Sequence, residues 1–401
     1  MRLSKTAAFY LQASIILCFL AGSSAPTPLY AVYQAAWGFS PITVTVVFGI
    51  YALAVLAMLL VVGSLSDYLG RRPVLIAAAL LQAVAMVVFA TASGVGGLLA
   101  ARIVQGISTG AAAGAVGAGM LDIDRAKGTI ANAVGPLIGT ASGGVIAGLL
   151  VQYLPAPTQL VYLVFGAIFI AQAIGVAFMP ESVTRRPGAL ASLKPQFRLP
   201  PPARRALLTA APVLVAAWAL GGFYLSLGPS LVRRLADSKS ILLGGLVGFV
   251  LAGSGAVIVL LTRARSARTV TTIGAVGLVV GVAITLLAFT ASSLPVFFAG
   301  VVLAGVGFGA GFQGAIRTVL PLAAANERAG VLSILYVISY LAMGLPAVIG
   351  GFRVVHGGGA FTTAREYSIA VMALAALALV GTLVRPPFVA LAAPALAPSR
   401  Q

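Results

Sequence analysis

The sequence predicts an all-α membrane protein of twelve transmembrane helices, six before and six after a polar middle segment. Its composition carries the first part of this prediction: 60% of the residues are apolar and only 8% are charged, against roughly 25% in ordinary soluble domains. Uncharged apolar stretches of about 20 residues, the length that crosses ~30 Å of hydrocarbon, recur along the whole chain. A single soluble core has no room for so much apolar surface.

Short polar gaps divide the apolar sequence into spans, so consecutive spans should run antiparallel through the bilayer. The first span follows two basic residues and imitates a cleavable signal peptide. Because apolar character resumes at Leu29, an uncut first helix is the better interpretation. The predicted spans are 8–31, 41–62, 73–93, 97–120, 129–151, 159–179, 206–230, 241–261, 270–290, 294–320, 329–350 and 366–384.

A polar segment separates the sixth predicted span from the seventh. Residues 181–205 contain five prolines and six basic residues, and this many prolines prevent a stable long helix. We therefore divide the chain into an N-terminal six-helix bundle (1–180), a cytoplasmic linker (181–205) and a C-terminal six-helix bundle (206–401).

The basic residues predict the orientation of the chain. The net charge of +18 would suit a nucleic-acid partner, but such proteins cluster Lys and Arg on soluble helices, whereas here these residues lie in the gaps between spans. With the N-terminus inside, 18 of the 25 Lys and Arg residues fall on the cytoplasmic side, which places both termini in the cytoplasm of a cell (inner) membrane protein. Arg233 and Arg234 fall outside and violate this pattern.

A charged turn lies between the second and third predicted spans. It contains Gly63, Asp67, Gly70, Arg71 and Arg72 at fixed spacing. Glycine at position 70 can end a helix in the left-handed conformation, and an acid at position 67 favours a helix N-terminus or a nearby arginine. The set resembles the signature between the second and third helices of major facilitator superfamily transporters. That resemblance implies the superfamily fold, two pseudo-symmetric six-helix bundles, and a conformational latch on the cytoplasmic side. An ordinary positively charged turn is the alternative to the latch.

The fourth predicted span contains an arginine. Arg102, Gln105 and Gly106 form the pattern R-x-x-Q-G, which resembles the fourth-helix motif of the same superfamily and implies a role in proton coupling. An arginine at the bilayer centre costs about 2.5–3.5 kcal/mol on insertion scales, so it needs polar partners or water. The alternative is that Arg102 extends toward the lipid headgroups.

The fifth predicted span contains Gly135, Pro136 and Gly139, and the proline should bend the helix. This run resembles the Gly-Pro motif of superfamily antiporters and favours export. It departs from that motif at Thr140 and Ala131, where glycines are usual.

The carboxylates are placed unusually for an exporter of cations. All seven fall at or near span ends, and the first span lacks the buried acid that many drug–proton antiporters of the superfamily carry. Asp67 and Asp122 remain as the candidate proton carriers. The single His356 and single Cys18 offer no metal-ligand cluster, and no nucleotide-binding or hydrolase motif occurs. We expect neither a metal, nor a cofactor, nor an enzymatic activity.

Candidate substrate-binding residues follow from the resemblance, because in this superfamily the central site is lined mainly by the first, fourth, seventh and tenth helices and their neighbours. Tyrosines on the eleventh span recur at helical spacing near the bilayer middle, although tyrosines are also common as anchors at lipid interfaces. The candidates are Asn132, Trp218, Tyr224, Ser333, Tyr336 and Tyr340.

Together these observations favour secondary active transport of a small organic solute by alternating access, with proton-coupled efflux as the preferred form. An uptake symporter, an uncoupled facilitator, and a non-transporting sensor or scaffold on the same fold are the alternatives. The expected partners are a small-molecule solute, a proton and the lipid bilayer, without nucleic acid. We expect a monomer.

Overall fold

The computed structural model describes residues 2–324 and 327–384, and all regular secondary structure within these ranges is helical. This confirms the predicted fold class. The first eight helices are α1 (Lys5–Ser24), α2 (Pro26–Trp37), α3 (Pro41–Val62), α4 (Ser66–Leu69), α5 (Arg71–Ala90), α6 (Val95–Ile123), α7 (Arg125–Tyr153) and α8 (Leu160–Ala177). The remaining ones are α9 (Pro201–Ser226), α10 (Gly228–Leu235), α11 (Ile241–Leu261), α12 (Ala267–Thr290), α13 (Leu294–Val319), α14 (Arg328–His356) and α15 (Ala360–Val384).

Eleven helical segments of the described chain are long and apolar enough to cross a membrane, with α1 and α2 counted as one. The one predicted span outside these eleven is the fourth, which is α6; it has 29 residues and carries Arg102. Many large apolar side chains lie more than half exposed on the surface of the molecule, for example Val87, Ile174, Leu261, Leu287 and Leu377. Apolar surface on this scale is unsuited to water and is suited to lipid.

The helices pack as two bundles. In the first bundle (α1–α8), α6 packs against α3 and α5, α5 packs against α8, and α1 packs against α7. In the second bundle (α9–α15), α13 packs against α12, α11 and α9, and α15 packs against α12 and α9. The two bundles meet along α7 with α11 and along α3 with α14.

The two ends of the helices define two faces. The α4 face holds the start of α1, the end of α3, α4 itself and the end of α8, where the N–H of Leu3 bonds to the carbonyl of Phe178 at 2.9 Å. The opposite face holds the ends of α2, α7 and α14. We use these two names below.

The bundles are joined closely toward the opposite face. There Gly144 of α7 packs backbone against backbone with Gly245 of α11, and the side chain of Thr45 on α3 packs against Gly351 of α14. Gln152 Oε1 also accepts a hydrogen bond from Ser240 Oγ at 2.9 Å. Because these contacts join different bundles, the two bundles are held together toward the opposite face in this conformation.

The segment between α8 and α9 crosses the α4 face. Ser64 Oγ donates to the carbonyl of Ser192 at 3.2 Å, and Arg198 packs against Gly330 in the first turn of α14. This segment therefore spans the seam between α3 and α14 where those helices are not joined by the close contacts of the opposite face. Helix α9 begins at Pro201, inside the predicted linker, because proline is tolerated in the first turn of a helix.

The first long helix of each bundle is broken. In the first bundle, α1 gives way to α2 at Ala25, and Pro26 opens the second piece. In the second bundle, α9 gives way to α10 at Leu227, where Pro229 stands in the first turn of α10. The predicted spans 8–31 and 206–230 are therefore each a long helix followed by a shorter one at the opposite face.

Candidate functional site

A charged cluster on the α4 face centres on the guanidinium of Arg71. Its Nε donates to Asp122 Oδ2 at 3.1 Å, and its Nη1 donates to Ser66 Oγ at 2.7 Å and to Asp67 Oδ1. The Arg71 side chain is 7% exposed, whereas that of Asp67 is 44% exposed. One buried guanidinium thus ties the turn after α3 to the last turn of α6.

Glu181 caps the beginning of α5. Its carboxylate accepts the backbone N–H of Arg71 at 2.8 Å and that of Arg72 at 3.0 Å. These N–H groups have no acceptor within the helix, and a negative charge there also interacts favourably with the helix dipole. Gly70 precedes them with φ of +99°, and a Cβ at this position would lie 2.5 Å from Glu181 Oε2, so both the backbone conformation and the space require glycine.

The two arginines of the turn have different environments. The guanidinium of Arg72 donates to the carbonyl of Ala177 at the end of α8 and makes no ion pair with a described residue. Arg71, by contrast, holds two carboxylates. The partners of Arg71 that the structure describes are residues of the first bundle and Glu181, which follows the last helix of that bundle.

The two acids between α6 and α7 also differ. Asp122 faces Arg71, as described above. Asp124 caps α7 by accepting the N–H of Lys127 at 3.0 Å, and this bond lowers the pKa of Asp124. Asp124 therefore serves helix α7, while Asp122 belongs to the charged cluster.

Arg102 is buried inside the first bundle, with 1% of its surface exposed. Its Nε and Nη2 donate to the hydroxyl of Tyr30 at 2.8 and 2.6 Å, and its Nη1 donates to the carbonyl of Ser23 at 2.8 Å and to Gln105 Oε1 at 2.6 Å. The ring of Tyr51 lies over the guanidinium at 5.0 Å. Arg102 thus reaches polar groups of neighbouring helices instead of the headgroups.

Every hydrogen-bond partner of Arg102 in the described chain is neutral. All seven carboxylates are among the described residues, and none of them pairs with Arg102. A buried charge is costly unless it is well hydrogen-bonded, and the phenol, carbonyl and amide oxygens satisfy it here together with the aromatic faces. The site therefore holds a positive charge without a counter-ion.

Small residues bring α6 against α3 beside this arginine. At Gly106 a Cβ would lie 2.5 Å from Ala54 Cβ and 2.8 Å from the carbonyl of Tyr51. Gly110, one turn later, approaches the carbonyl of Val55 in the same way. This close crossing, of the small-residue type seen in membranes, holds Tyr51 over Arg102.

The Gly-Pro run of α7 lies against α1. Pro136 stands inside the continuous helix α7, while Gly135 faces the side chain of Ile16 and Gly139 faces the backbone of Leu17. Since α7 also packs against α11, this run lies on one of the two helix pairs that join the bundles.

An aromatic cluster of the second bundle lies next to the seam with α3. The ring of Trp218 packs at 5.2 Å from that of Tyr340 and at 5.1 Å from that of Phe312, and Tyr336 lies 6.4 Å from Tyr340. Tyr340 also packs against the group containing Ala52 of the first bundle. The structure thus brings together Trp218, Tyr336 and Tyr340, which come from two helices.

Polar groups in this cluster are left without partners. The indole N–H of Trp218 and the hydroxyl of Ser339 are buried and have no hydrogen-bond partner within residues 2–324 and 327–384. A buried donor without a partner costs about 1–3 kcal/mol, so such a group usually has water or a ligand to bind. The rings of Phe312 and Tyr340 pack against the indole of Trp218 and are partly exposed; Ser339 precedes Tyr340 on α14.

The other three substrate-binding candidates lie elsewhere. Asn132 Nδ2 donates to the carbonyl of Gly117 at 3.0 Å and joins α7 to α6. Tyr224 is 4% exposed, and its hydroxyl bonds to Thr285 at 2.8 Å inside the second bundle. Ser333 donates to a carbonyl of its own helix. None of these three contacts the aromatic cluster through the bonds that the structure describes.

Several partners escaped sequence reasoning. Tyr30 and Tyr51, which surround Arg102, lie on two other helices, and Glu181 is 110 residues from Arg71 along the chain. A tyrosine in the middle of a predicted span was the available signal for Tyr51, whereas Tyr30 stands at the end of the first predicted span, where tyrosines are common as interfacial anchors. Phe312, which packs on Trp218, gave no such signal, because it is one apolar residue on a glycine-rich span.

Fold and site together define a multi-pass helical membrane protein of two bundles, with a buried positive charge in one and an aromatic cluster at their seam. Residues 13–268 match the family model described as Major Facilitator Superfamily. Because this match covers more than half of the chain, the protein belongs to that superfamily. It is a membrane transport protein.

Solved structures of transporters are similar to this chain over almost its whole length. A bacterial homolog of the human lysosomal transporter Spinster, in an inward-facing and unoccupied conformation, has a TM-score of 0.76 at 14% identity and covers 94% of this chain and 97% of its own. The nucleoside transporter NupG has a TM-score of 0.66 at 13% identity, covering 95% of this chain and 98% of its own. At these identities the likeness shows the fold. No curated protein sequence matches the chain.

Proposed function

We propose that the protein is a secondary active transporter that moves a small organic solute by alternating access. The observation that carries the proposal is the seam between the bundles. Its close contacts lie toward the opposite face, and the partly exposed aromatic cluster lies beside α3 and α14 where they part. A bundle that rocks about such a seam exposes a central site to one side at a time.

The aromatic cluster is the proposed substrate site. Trp218, Tyr336 and Tyr340 offer flat apolar surface, which suits a ligand with an apolar or aromatic body. The unpartnered N–H of Trp218 offers one hydrogen bond that would fix the orientation of that ligand. Asn132, Tyr224 and Ser333 are proposed as supports of the surrounding helices.

The charged cluster is the proposed latch. Arg71 is saturated by Ser66, Asp67 and Asp122 of its own bundle, and Glu181 fixes the turn with Gly70. Closing the α4 face would bring this turn toward α14, so Asp67, as the most exposed member, is the group able to change partners. Gly63, Gly70, Arg71 and Arg72 shape and orient the turn.

Proton-coupled efflux is the proposed mode. Asp67 and Asp122 are the titratable groups that face Arg71, and they are the proposed proton carriers. The Arg102, Gln105 and Gly106 motif and the Gly-Pro run of α7 support this mode through their resemblance to the superfamily motifs.

One observation favours a second candidate, an uncoupled facilitator. Arg102 has only neutral hydrogen-bond partners, so no carboxylate in its surroundings can exchange a proton against it. In a facilitator, the positive charge of Arg102 would act on the solute alone. The distinction lies in whether transport follows a proton gradient.

Solute flux in sealed vesicles tests the proposal. Purified protein is reconstituted, and accumulation of a panel of neutral, anionic and cationic solutes is measured with and without an imposed proton gradient. Gradient-dependent movement against the solute gradient supports coupled transport. Movement only down the solute gradient supports the facilitator. If the reconstituted protein is correctly folded and moves no solute of the panel, the result supports a sensor or scaffold.

The proposed orientation places the α4 face and both termini in the cytoplasm of the cell membrane, with 1–180 and 206–401 as the two domains of a monomer. Gln401 lies outside the described residues. A topology reporter inserted within 189–194, on the α4 face, should read as cytoplasmic. If the reporter is found outside the cytoplasm, the proposed orientation is wrong and the α4 face lies on the other side of the membrane.

A further inference from the structure

A cavity of about 80 Å³ lies between the two bundles at the opposite face. Its walls are α2 and α10, the short helices that follow the breaks in α1–α2 and α9–α10. It is separate from the aromatic cluster, since none of Trp218, Tyr336 and Tyr340 lines it.

The polar lining of the cavity follows helical spacing. On α2, Thr27, Tyr30 and Gln34 recur at intervals of three and four residues and so share one face. On α10, Ser230 and Arg234 are four residues apart and share the facing side. Both short helices therefore turn a polar stripe toward the same space.

The charge of the lining is positive. Arg234 lines the cavity, and no Asp or Glu is among the described residues around it. Tyr30 also lines the cavity, and its hydroxyl accepts both the Nε and the Nη2 hydrogen bonds of Arg102. The cavity thus has one arginine among its lining residues, and its tyrosine is hydrogen-bonded to a second arginine.

The remaining lining is apolar and includes Phe223, Leu231 and Val44. A volume of 80 Å³ holds about five to eight water-sized groups. A ligand that fits therefore combines a single negative group with a short apolar body. An inorganic anion would leave the apolar wall uncovered.

This arrangement gives a reason for Arg234, one of the two basic residues that violate the orientation rule. Arg233 and Arg234 lie on the face that should be poor in basic residues. Of the two, Arg234 faces the cavity, whereas Arg233 bends back to the carbonyl of Ser238 at 3.4 Å.

We propose that the cavity between α2 and α10 is a binding site for a small organic monocarboxylate, with Arg234 neutralising the carboxylate and Thr27 and Gln34 offering hydrogen bonds. Ser230 belongs to the wall, because its hydroxyl donates to the carbonyl of Leu227 at 2.8 Å. The binding site stands on the geometry of the cavity alone. Its role as the outer station of the solute path rests on the proposed transport function.

Thiol protection tests the binding site directly. In a Cys18→Ala background, Ser230→Cys places a thiol in the cavity wall, and its reaction with a small water-soluble thiol reagent is followed in detergent-solubilised protein. The probes are butyrate and its neutral and cationic analogues, butyramide and n-butylammonium. Butyrate should slow the labelling at least threefold, while the other two should leave it unchanged.

Two arginine variants form a matched pair for this experiment. Arg234→Gln should abolish protection by butyrate and leave labelling without ligand intact, whereas Arg233→Gln, its neighbour outside the cavity, should retain protection. As a second measurement, butyrate should raise the Tm of the Arg233→Gln variant and of the parent, but not that of Arg234→Gln.

Three results would overturn the proposal. They are equal protection by butyrate and butyramide, retained protection in Arg234→Gln, and an inert thiol at position 230 in folded protein, which would mean that the cavity is not accessible. None of these measurements requires flux, so failure of the binding site and failure of the transport function are distinguishable. If the purified protein binds butyrate but reconstituted vesicles do not transport it, the cavity is a binding site that does not belong to the solute path.

Discussion

The guanidinium of Arg71 links the turn after α3 to α6 on the α4 face. This guanidinium is buried and touches two carboxylates and a hydroxyl, while the backbone N–H of Arg71 belongs to the helix start that Glu181 caps. Of the two carboxylates that touch this guanidinium, Asp67 has the more exposed side chain, 44% against 33% for Asp122, and so it is the one that can more easily change partners without unfolding the turn. This difference in exposure makes Asp67 the sharper probe of function.

We expect Asp67→Asn to lower the transport rate several-fold while abundance and membrane insertion stay normal. Asparagine keeps an oxygen that can accept from Arg71, and Arg71 also keeps Ser66 and Asp122 as partners, so the variant should fold, yet the proposed latch loses the charge that it must exchange. The measurement is flux in vesicles normalised to protein content. Asp237→Asn, the same substitution on a turn of the opposite face, is the control, and equal rates for both variants would reduce the turn to an orientation signal.

The buried arginine allows a second residue-scale prediction. Tyr30→Phe removes the oxygen that accepts two hydrogen bonds from Arg102, whereas Tyr33→Phe removes one neutral hydrogen bond to Tyr162 at 2.9 Å. Hydrogen bonds to charged groups contribute about 1.5–3 kcal/mol and neutral ones about 0.5–1.5 kcal/mol. Tyr30→Phe should therefore lower the Tm of the purified protein more than Tyr33→Phe does.

The result that contradicts this prediction is a Tm loss at Tyr33 that equals or exceeds the loss at Tyr30. In that case water, or a different acceptor, would satisfy Arg102 in solution. Both tyrosines lie on α2 and both are buried. Each variant loses one hydroxyl, so the difference between their Tm values reports the hydrogen bonds to the charged Arg102.

At the scale of the element, the limits of the helices were largely predictable because each long apolar run ends at charge, proline or glycine. The breaks inside two predicted spans were missed, although Pro26 and Pro229 stand at them. A proline near the end of a long apolar run marks a possible break, but only packing decides whether the chain continues straight. For a similar reason the sequence does not distinguish Arg71 from Arg72, because the burial of Arg71 depends on its packing against α6.

Helix crossings offer the element-scale prediction. Gly106→Ala should lower stability by about 1–3 kcal/mol, since the added methyl would overlap Ala54 and the backbone of Tyr51 on α3. Gly96→Ala on the same helix is the matched control, because a Cβ there meets no atom within 4 Å. That control should be neutral, or stabilising by up to about 1 kcal/mol.

Thermal unfolding of both variants in the same detergent is the measurement. Equal Tm values for Gly106→Ala and Gly96→Ala would mean that α3 and α6 do not cross as closely as described. Transport should fall with Gly106→Ala even at temperatures where the variant stays folded, because Tyr51 would shift from its place over Arg102.

At the scale of the whole molecule, the contacts between distant segments decide the site. The period of Tyr336 and Tyr340 on one helix was readable from the sequence, whereas their approach to Trp218 depends on how α14 packs against α9. In the same way, the sequence shows that Arg102 needs partners but not that Tyr30 and Tyr51 supply them. Helix existence is a local property; the pairing of helices within and between bundles is not.

The seam between the bundles gives the last prediction. Gln152 of α7 and Ser240, which precedes α11, are in hydrogen-bond contact across the seam at the opposite face, at 2.9 Å. If transport requires the bundles to separate there, a covalent link between these positions should stop it. In a Cys18→Ala background, the double variant Gln152→Cys with Ser240→Cys, treated with a short cleavable bifunctional thiol reagent, should lose nearly all transport and regain it on cleavage.

Each single cysteine variant, treated in the same way, is the control. The Ser240→Cys variant also measures the effect of losing Ser240 Oγ, which accepts the N–H of Leu243 at the start of α11. The single variants should keep their transport after treatment, because the reagent then joins no second position. Full transport in the linked double variant would mean that the bundles stay together at the opposite face throughout the cycle, and that rocking about this seam is not how the protein moves its solute.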